Sequence, residues 1–507
     1  MGRINILIKI IGNMEKYIEQ NKFKIGIFTG MIAFSLIICF NFLIPHFPSD
    51  AYYISAYGYE TYINHYLASN RIFCALLFKI YMALNISITQ QMHIMGCILT
   101  IIMGISWYYL YSYVIKLIKK EKEIFYNIIV ICASFLIVFN ICTAEGLLFV
   151  EDGTMPLGVF VSILGACIIA TERKGKYFIS LLLVTIAGLL YQGSSSVFVL
   201  LGLVLESIKN KNNKKIIFKE TVIIGLIYGV AMIFNFIGVK AWSNILNYPF
   251  RQFDFPSISI IIDTILKFGK FILVDNCGIG PKYWYLMMIL ILSVVFFINL
   301  LKKKIEYFEI LEFFTLVFLS IIIPIIPVIV TPIEQQYLEP RMAMCFGGII
   351  GILVIFLLPK IISKSIFLCL VLIISVINVV VNSIFFVYES STTLKINKIE
   401  EIMAKQIINE IQEYEEKTKI EVKGIGTAFD NSYSQYYKGE PEFRCFNSRS
   451  LGIDWAVKEV LTTYSGKKYI NVTTPQNIKD NFLNKNWDFY SKEQLVFEGE
   501  NLYICIF

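Results

Sequence analysis

The chain has 507 residues, of which 56% are hydrophobic and 16% are charged, and its formal net charge is +7. A soluble protein carries about a quarter charged residues, so this composition excludes an ordinary soluble domain and indicates a membrane protein with several spans. The small positive charge is typical of lysine clusters that face anionic lipid, and it does not indicate nucleic-acid binding.

Long apolar runs dominate the first three quarters of the chain. Residues 1–24 are predicted to form a cytoplasmic amphipathic N-terminus, and the run from about Ile25 to Ile44 is long enough to remain in the membrane. We predict about eleven transmembrane helices between residues 25 and 388. After the first, the apolar runs lie at about 91–117, 124–142, 155–171, 177–191, 196–208, 220–241, 284–300, 308–330, 341–358 and 365–387.

Basic residues recur in alternate loops between these runs. The clusters lie at 119–122, 173–176, 209–215, 302–304 and 360–364. Positively charged loops stay in the cytoplasm, and all clusters share one side only if the short segment 71–85 lies flat in the outer interface. The amphipathic segment 257–274 is predicted to lie there too. We therefore predict a multi-pass protein of the cell (plasma) membrane, with a cytoplasmic N-terminus and a large outer loop over 46–90.

A polar stretch, Gln192–Ser196, separates two short apolar runs. We expect it to form a turn that dips toward the outer membrane face. Non-helical backbone at that depth needs cover from protein or water.

The last 120 or so residues are polar, which is enough for a small domain. Residues 389–507 are predicted to form an extracytoplasmic α/β domain. Its elements are a helix over Ile396–Lys419, a strand over Ile420–Ala428 and a hairpin over Leu495–Phe507.

Acids, arginines, amides and aromatic side chains gather in the predicted outer loops, where ionisable groups tend to face a cavity or each other. This inventory suits sugar transfer from a lipid phosphate, because the phosphate is already a leaving group and the reaction needs one carboxylate base. Asp50 is the predicted base, and Arg71 and Arg341 are the predicted phosphate clamp. The donor-binding candidates are Arg71, Glu60, Gln192, Glu151, Asp152, Glu334, Gln335 and Arg341.

Each candidate also has a purely structural interpretation. Asp50 can cap the helix that follows it, and Arg71 can anchor that region at the lipid headgroups. The pair 151–152 precedes a glycine and can form a solvated turn. Glu334 and Arg341 can form an ion pair.

Three stretches resemble the GT-C superfamily of lipid-phosphate-sugar glycosyltransferases, and within it the bacterial O-antigen glucosyltransferases of the type-II Gtr family. They are Ser49–Tyr53 (SDAYY), Asn70–Phe73 (NRIF) and Gly188–Gly193 (GLLYQG). The resemblance implies a GT-C-like catalytic domain over 25–388, the role of base for Asp50 and a place in the site for Arg71 and Gln192.

The resemblance also implies the substrates. The donor would be glucose on a polyprenyl phosphate, with no nucleotide sugar, and the acceptor a cell-surface polysaccharide or teichoic-acid-type glycan. Ser49 stands where the family more often has a second acid, so no metal ion or other cofactor is predicted.

Two other functions remain open from the sequence. A polysaccharide polymerase or ligase is also polytopic, but it usually carries a long outer loop rich in arginine, whereas 242–283 contains one arginine, Arg251. A lipid-linked-glycan flippase would favour inverted repeats, and the sequence displays no internal symmetry.

Overall fold

Helices dominate the computed structural model, which describes residues 22–149, 153–247, 257–276, 281–301, 307–329, 339–361, 366–429, 450–482 and 491–506. The described helices, in chain order, are α1 (22–38), α2 (Ser49–Tyr57), α3 (Glu60–Ala68), α4 (Ile72–Ala83), α5 (Ile88–Ile118), α6 (Ile124–Val138), α7 (Ile141–Leu148), α8 (Met155–Ile169), α9 (Lys176–Leu190), α10 (Gln192–Lys209), α11 (Lys214–Leu246), α12 (Ile258–Leu273), α13 (Trp284–Leu301), α14 (Tyr307–Ile329), α15 (Met344–Gly347), α16 (Ile349–Leu357), α17 (Ile366–Thr418), α18 (Val457–Ser465) and α19 (Gln476–Phe482). The strands are β1 (Gly424–Phe429), β2 (Ile470–Asn471), β3 (Leu495–Glu498) and β4 (Asn501–Ile506).

Six of the described helices are long and apolar enough to cross a membrane. The number rises to seven if α6 and α7, which meet at a bend of 50°, form one broken span. The prediction of a polytopic helical membrane protein is therefore confirmed, while the count of eleven spans stays a prediction. The predicted helix after Arg71 is present as α4, and the predicted amphipathic helix in the later outer loop is present as α12.

The helices α8 to α11 have two chemically different ends. At one end Lys176, the first residue of α9, contacts the carboxylates of Glu206 at 3.2 Å and Glu220 at 3.3 Å. Both glutamates are buried, so their pairing with lysine offsets the cost of burying the charge. The loops 170–175 and 210–213 lie at this end. The junction between α9 and α10 lies at the other end, one helix length away.

The predicted turn at Gln192–Ser196 is wrong. Only Tyr191 interrupts the helices, and α10 begins at Gln192. The serine hydroxyls of residues 194, 195 and 196 donate to carbonyl oxygens three residues earlier, at 2.7, 2.6 and 2.6 Å. These bonds satisfy the hydroxyls within the first turn of a helix, so a run of three serines does not require a loop here.

The polar C-terminal region begins within a helix. α17 continues unbroken for 53 residues, which corresponds to about 80 Å at 1.5 Å per residue. The predicted helix and hairpin are both present, and β3 pairs antiparallel with β4. The sheet has the order β2-β1-β4-β3, with β1 parallel to both neighbours. We call α17 from residue 396 onward, together with β1–β4, α18 and α19, the C-terminal unit.

The C-terminal unit packs against the segment that carries α2. Tyr52 of α2 is fully buried in a hydrophobic cluster with Ile407, Val460 and Leu461 of that unit. The backbone of Phe47 and the side chain of Asn397 exchange two hydrogen bonds of 2.8 Å, donated by the Phe47 N–H and by Asn397 Nδ2. The loop before α2 is thereby tied to the extension of the last membrane helix.

Candidate active site

Asp50 lies in the first turn of α2, where the helix dipole favours a carboxylate. Pro48 occupies the N-cap position and no side chain caps the helix, so the interpretation of Asp50 as a capping residue is wrong. The hydroxyl of Tyr62, on α3, donates to Asp50 Oδ1 at 2.6 Å. A short hydrogen bond to a charged acceptor fixes the orientation of the half-buried carboxylate.

Other tyrosine rings pack near Tyr62, the partner of this carboxylate. The ring of Tyr53 lies 5.3 Å from that of Tyr62 and 4.9 Å from that of Tyr57, measured between centroids. Tyr62 also lies 5.6 Å from Tyr66 on the next turn of α3. Tyr62, which holds the carboxylate, therefore belongs to a group of tyrosines contributed by α2 and α3.

Arg71 follows α3 at a sharp corner. Asn70 has a left-handed backbone with φ of 57°, and the backbone N–H of Arg71 donates to the Tyr66 carbonyl at 2.8 Å. The guanidinium of Arg71 lies 5.0 Å from the ring centroid of Tyr191, in the range of a cation–π contact. Tyr191 is the residue between α9 and α10.

The corner at Asn70 is locked against α11. The buried side chain of Asn70 donates to the carbonyl and the side-chain oxygens of Asn235, at 3.4 and 3.3 Å. Glycine is needed on α11 at this point, because a Cβ on Gly238 would lie 2.5 Å from the Asn70 side chain. These contacts between Asn70 and α11 fix the position of Arg71, the next residue.

Arg341 is held by an acid from a different part of the chain. Its guanidinium donates to Glu145 Oε1 at 2.8 Å and its backbone N–H donates to Glu145 Oε2 at 2.6 Å. The guanidinium also pairs with Glu339 and lies 4.7 Å from the ring of Phe149. Glu145 is only 4% exposed, so its charge depends on this partner.

The two arginines meet at the amino end of α10. Arg71 lies over the ring of Tyr191, and the backbone of Arg341 lies against Gly193 in the first turn of α10. A Cβ on Gly193 would lie 2.6 Å from the carbonyl oxygen of Arg341, so only glycine permits this approach. Gln192 connects the same turn to the corner at Arg71, because its amide nitrogen donates to the Ser69 carbonyl at 2.9 Å. Two guanidinium groups and the positive end of a helix dipole form an environment suited to an anion.

Several predicted site residues do not join this group. Glu60 is exposed at the first residue of α3, and within the described ranges no ion pair or hydrogen bond links it to either arginine. Glu151, Asp152, Glu334 and Gln335 lie outside the described residues, as does the predicted Glu334–Arg341 pair. Helix α3 connects Asp50 to Arg71. Its Tyr62 hydroxyl donates to the Asp50 carboxylate, and its Tyr66 carbonyl accepts from the Arg71 backbone N–H.

Glu145 and Tyr62 are not among the site residues predicted from the sequence. An acid next to an apolar helical run is the signal that identifies Glu145, because such a charge is buried only with a partner. Tyr62 lies twelve residues after Asp50, and only the fold of α2 onto α3 brings them together. In the ranges that the structure describes, no group of three or more histidine, cysteine, aspartate or glutamate side chains is arranged to hold a metal ion.

The fold and the site define a polytopic helical membrane protein with a group of arginine, glutamate and tyrosine side chains at the ends of its helices. A family model described as glucosyl transferase GtrII matches residues 40–355, which is more than half of the chain. The chain belongs to this glucosyl transferase family and is a glycosyltransferase, which confirms the resemblance. No curated protein matches the chain. The matched region contains Asp50, Arg71, Gln192 and Arg341, and it ends before the C-terminal unit.

Proposed function

We propose that the protein transfers glucose from a polyprenyl-phosphate donor to a polysaccharide or teichoic-acid-type glycan at the outer face of the plasma membrane. One observation carries the proposal. Arg71 and Arg341, which are far apart in the sequence, both lie at the amino end of α10, Arg71 over the ring of Tyr191 and Arg341 with its backbone against Gly193. Two guanidinium groups beside a helix amino end are suited to the phosphate of a lipid-linked sugar.

Asp50 acts in this proposal as the general base that takes the proton of the acceptor hydroxyl. The phosphate leaves with its negative charge stabilised by the arginines, so no protein acid is required. The hydrogen bond from Tyr62 aims the Asp50 carboxylate, as a base must be within hydrogen-bond reach of its proton. Gln192 helps to orient Arg71 through its hydrogen bond to the Ser69 carbonyl. Glu145 orients Arg341 by pairing directly with its guanidinium.

The distribution of charge supports an outward-facing site. Lys176, Lys209 and the loops next to them lie at one end of α8–α11, and the arginines lie at the other. Positive loops stay in the cytoplasm, so the arginine end faces outward. A lipid-linked donor is the form of activated sugar that fits an outward-facing site.

The test compares surface glycan from a deletion strain, rescued with the wild-type chain or with Asp50→Asn. We expect a glucose side branch to disappear in the deletion strain and to return with the wild type but not with Asp50→Asn. Asp263→Asn is the matched control, because Asp263 is an exposed aspartate on α12 whose ion pair in the described residues is with Lys267 of the same helix, at 2.7 Å. Membrane levels of each variant are measured by immunoblot.

Three other results would overturn the proposal in different ways. A collapse of polysaccharide chain length in the deletion strain would indicate a polymerase or ligase. Full restoration of the branch by Asp50→Asn would remove Asp50 as the base. Loss of the surface glycan in the deletion strain, with lipid-linked glycan accumulating on the cytoplasmic side, would indicate a flippase.

A further inference from the structure

One face of α2 carries a line of side chains that begins at the proposed base. Asp50, Tyr53 and Tyr57 are spaced by three and four residues, so they lie on the same side of the helix. Asp50 and Tyr57 are seven positions apart, or about 10 Å at the helical rise per residue. The Tyr53 and Tyr57 rings lie 4.9 Å apart, and Tyr62 of α3 completes the group.

Lys458 of the C-terminal unit lies at the far end of this line. Its ammonium is 5.4 Å from the centroid of the Tyr57 ring and 3.2 Å from the carboxylate of Glu459. The Lys458 side chain is 17% exposed, and that of Glu459 is 1% exposed. A buried carboxylate next to the lysine holds the ammonium in place beside the tyrosine.

Further contacts fix α18 against α2. The hydroxyls of Tyr52 and Tyr464 lie 3.2 Å apart, and Thr463 donates to the Tyr52 carbonyl at 3.5 Å. The position of Lys458 relative to Asp50 is therefore set by a packed helix pair and not by a loose surface contact. These α18 residues lie outside the stretch that matches the family.

We propose that Asp50, Tyr53 and Tyr57 of α2 form with Lys458 of α18 the acceptor side of the active site. This inference rests on the proposed function, in which Asp50 contacts the acceptor hydroxyl. The donor side lies at Arg71 and Arg341. The acceptor therefore lies along the face of α2 that carries Asp50, Tyr53 and Tyr57. Tyrosine rings stack on sugar faces, and a few polar groups among aromatic side chains fix a ligand's orientation.

Lys458 gives this acceptor side its specificity. Its ammonium donates to a hydroxyl, carboxylate or phosphate oxygen on the acceptor glycan. This contact lies about two helix turns along α2 from the bond being formed. The C-terminal unit thereby takes part in choosing the acceptor, while the region shared with the family holds the donor and the base.

The experiment measures initial rates with the full chain in lipid nanodiscs. The donor is polyprenyl-phosphate-[14C]glucose, and the acceptor is polysaccharide extracted from the deletion strain. We expect Lys458→Met and Tyr57→Leu to raise the acceptor KM about tenfold, the effect of losing one hydrogen bond to a charged group or one stacking contact, with the donor KM within about twofold of wild type. Lys458→Arg keeps the charge and should restore most of the affinity.

The matched control is Lys423→Met, an exposed lysine of the same unit paired with Glu500 at 2.9 Å. Size-exclusion profiles and melting temperatures verify folding, and Tyr57→Leu decides the question if Lys458→Met aggregates. If both substitutions leave the acceptor KM equal to that of Lys423→Met while Asp50→Asn is inactive, this inference fails and the proposed function stands. If Asp50→Asn is active, the proposed function fails instead.

Discussion

The pair formed by Glu145 and Arg341 offers the sharpest test of how the site is built. Arg341→Met removes the guanidinium and leaves the Glu145 carboxylate 4% exposed, with only the backbone N–H of residue 341 as its donor in the described contacts. Glu145→Gln is milder. The glutamine amide keeps one oxygen that can accept from the backbone N–H of Arg341. It lacks the negative charge that pairs with the Arg341 guanidinium.

The expected magnitudes follow from burial. Breaking a buried ion pair from one side costs about 3–5 kcal/mol, so this loss of unfolding free energy is expected for Arg341→Met. Glu145→Gln loses one charge-assisted hydrogen bond of 2.8 Å, which corresponds to about 1.5–3 kcal/mol. The double variant should lose at least about 1 kcal/mol less than the sum, because the second change no longer strands a buried charge.

The assay is unfolding of the detergent-solubilised protein by increasing denaturant, followed by tryptophan fluorescence. Glucose transfer is measured on the same samples, and both single variants are expected to raise the donor KM. Strictly additive effects on the free energy of unfolding, or an Arg341→Met variant as stable as wild type, would show that the pair does not hold this part of the site together.

Three other predictions test the donor end, the base and the orientation of the chain. Gly193→Ala should lower both stability and transfer, because its Cβ would lie 2.6 Å from the carbonyl oxygen of Arg341, and melting temperature with donor KM checks this. Tyr62→Phe removes the 2.6 Å hydrogen bond to the proposed base and should lower kcat about tenfold with donor KM unchanged, whereas an unchanged kcat would exclude the tyrosine from positioning the base. Lys120→Cys and Asp454→Cys, each placed in a background without native cysteines, should react with an impermeant maleimide from opposite sides of the membrane, and labelling from one side would contradict the proposed orientation.

The helices could be predicted because their cause is local. Long apolar runs and lysine-rich loops indicate spans and ends without reference to the rest of the chain. The same local rule misled at Gln192–Ser196, where serine hydroxyls bond to their own helix. The same rule also did not predict that α17 continues through residue 388 without a break. A change from apolar to charged residues marks where the chain leaves an apolar environment, and a helix can continue past that point.

The site could be predicted only in its individual residues. Asp50, Arg71 and Arg341 stand out because acids and arginines are costly at span ends. Their partners are set by distant contacts: Glu145 and Arg341 are 196 residues apart, and Tyr52 and Tyr464 are 412 apart. The parallel pairing of β1 with β4 is non-local in the same way, whereas the β3–β4 hairpin followed from its turn.

The most direct test of the central claim is transfer of [14C]glucose from polyprenyl phosphate by the purified chain. The account predicts that wild type transfers label to polysaccharide from the deletion strain, that Asp50→Asn and Arg71→Ala do not, and that UDP-[14C]glucose is not a donor. Transfer from UDP-glucose, or equal transfer by Asp50→Asn and wild type, would contradict it.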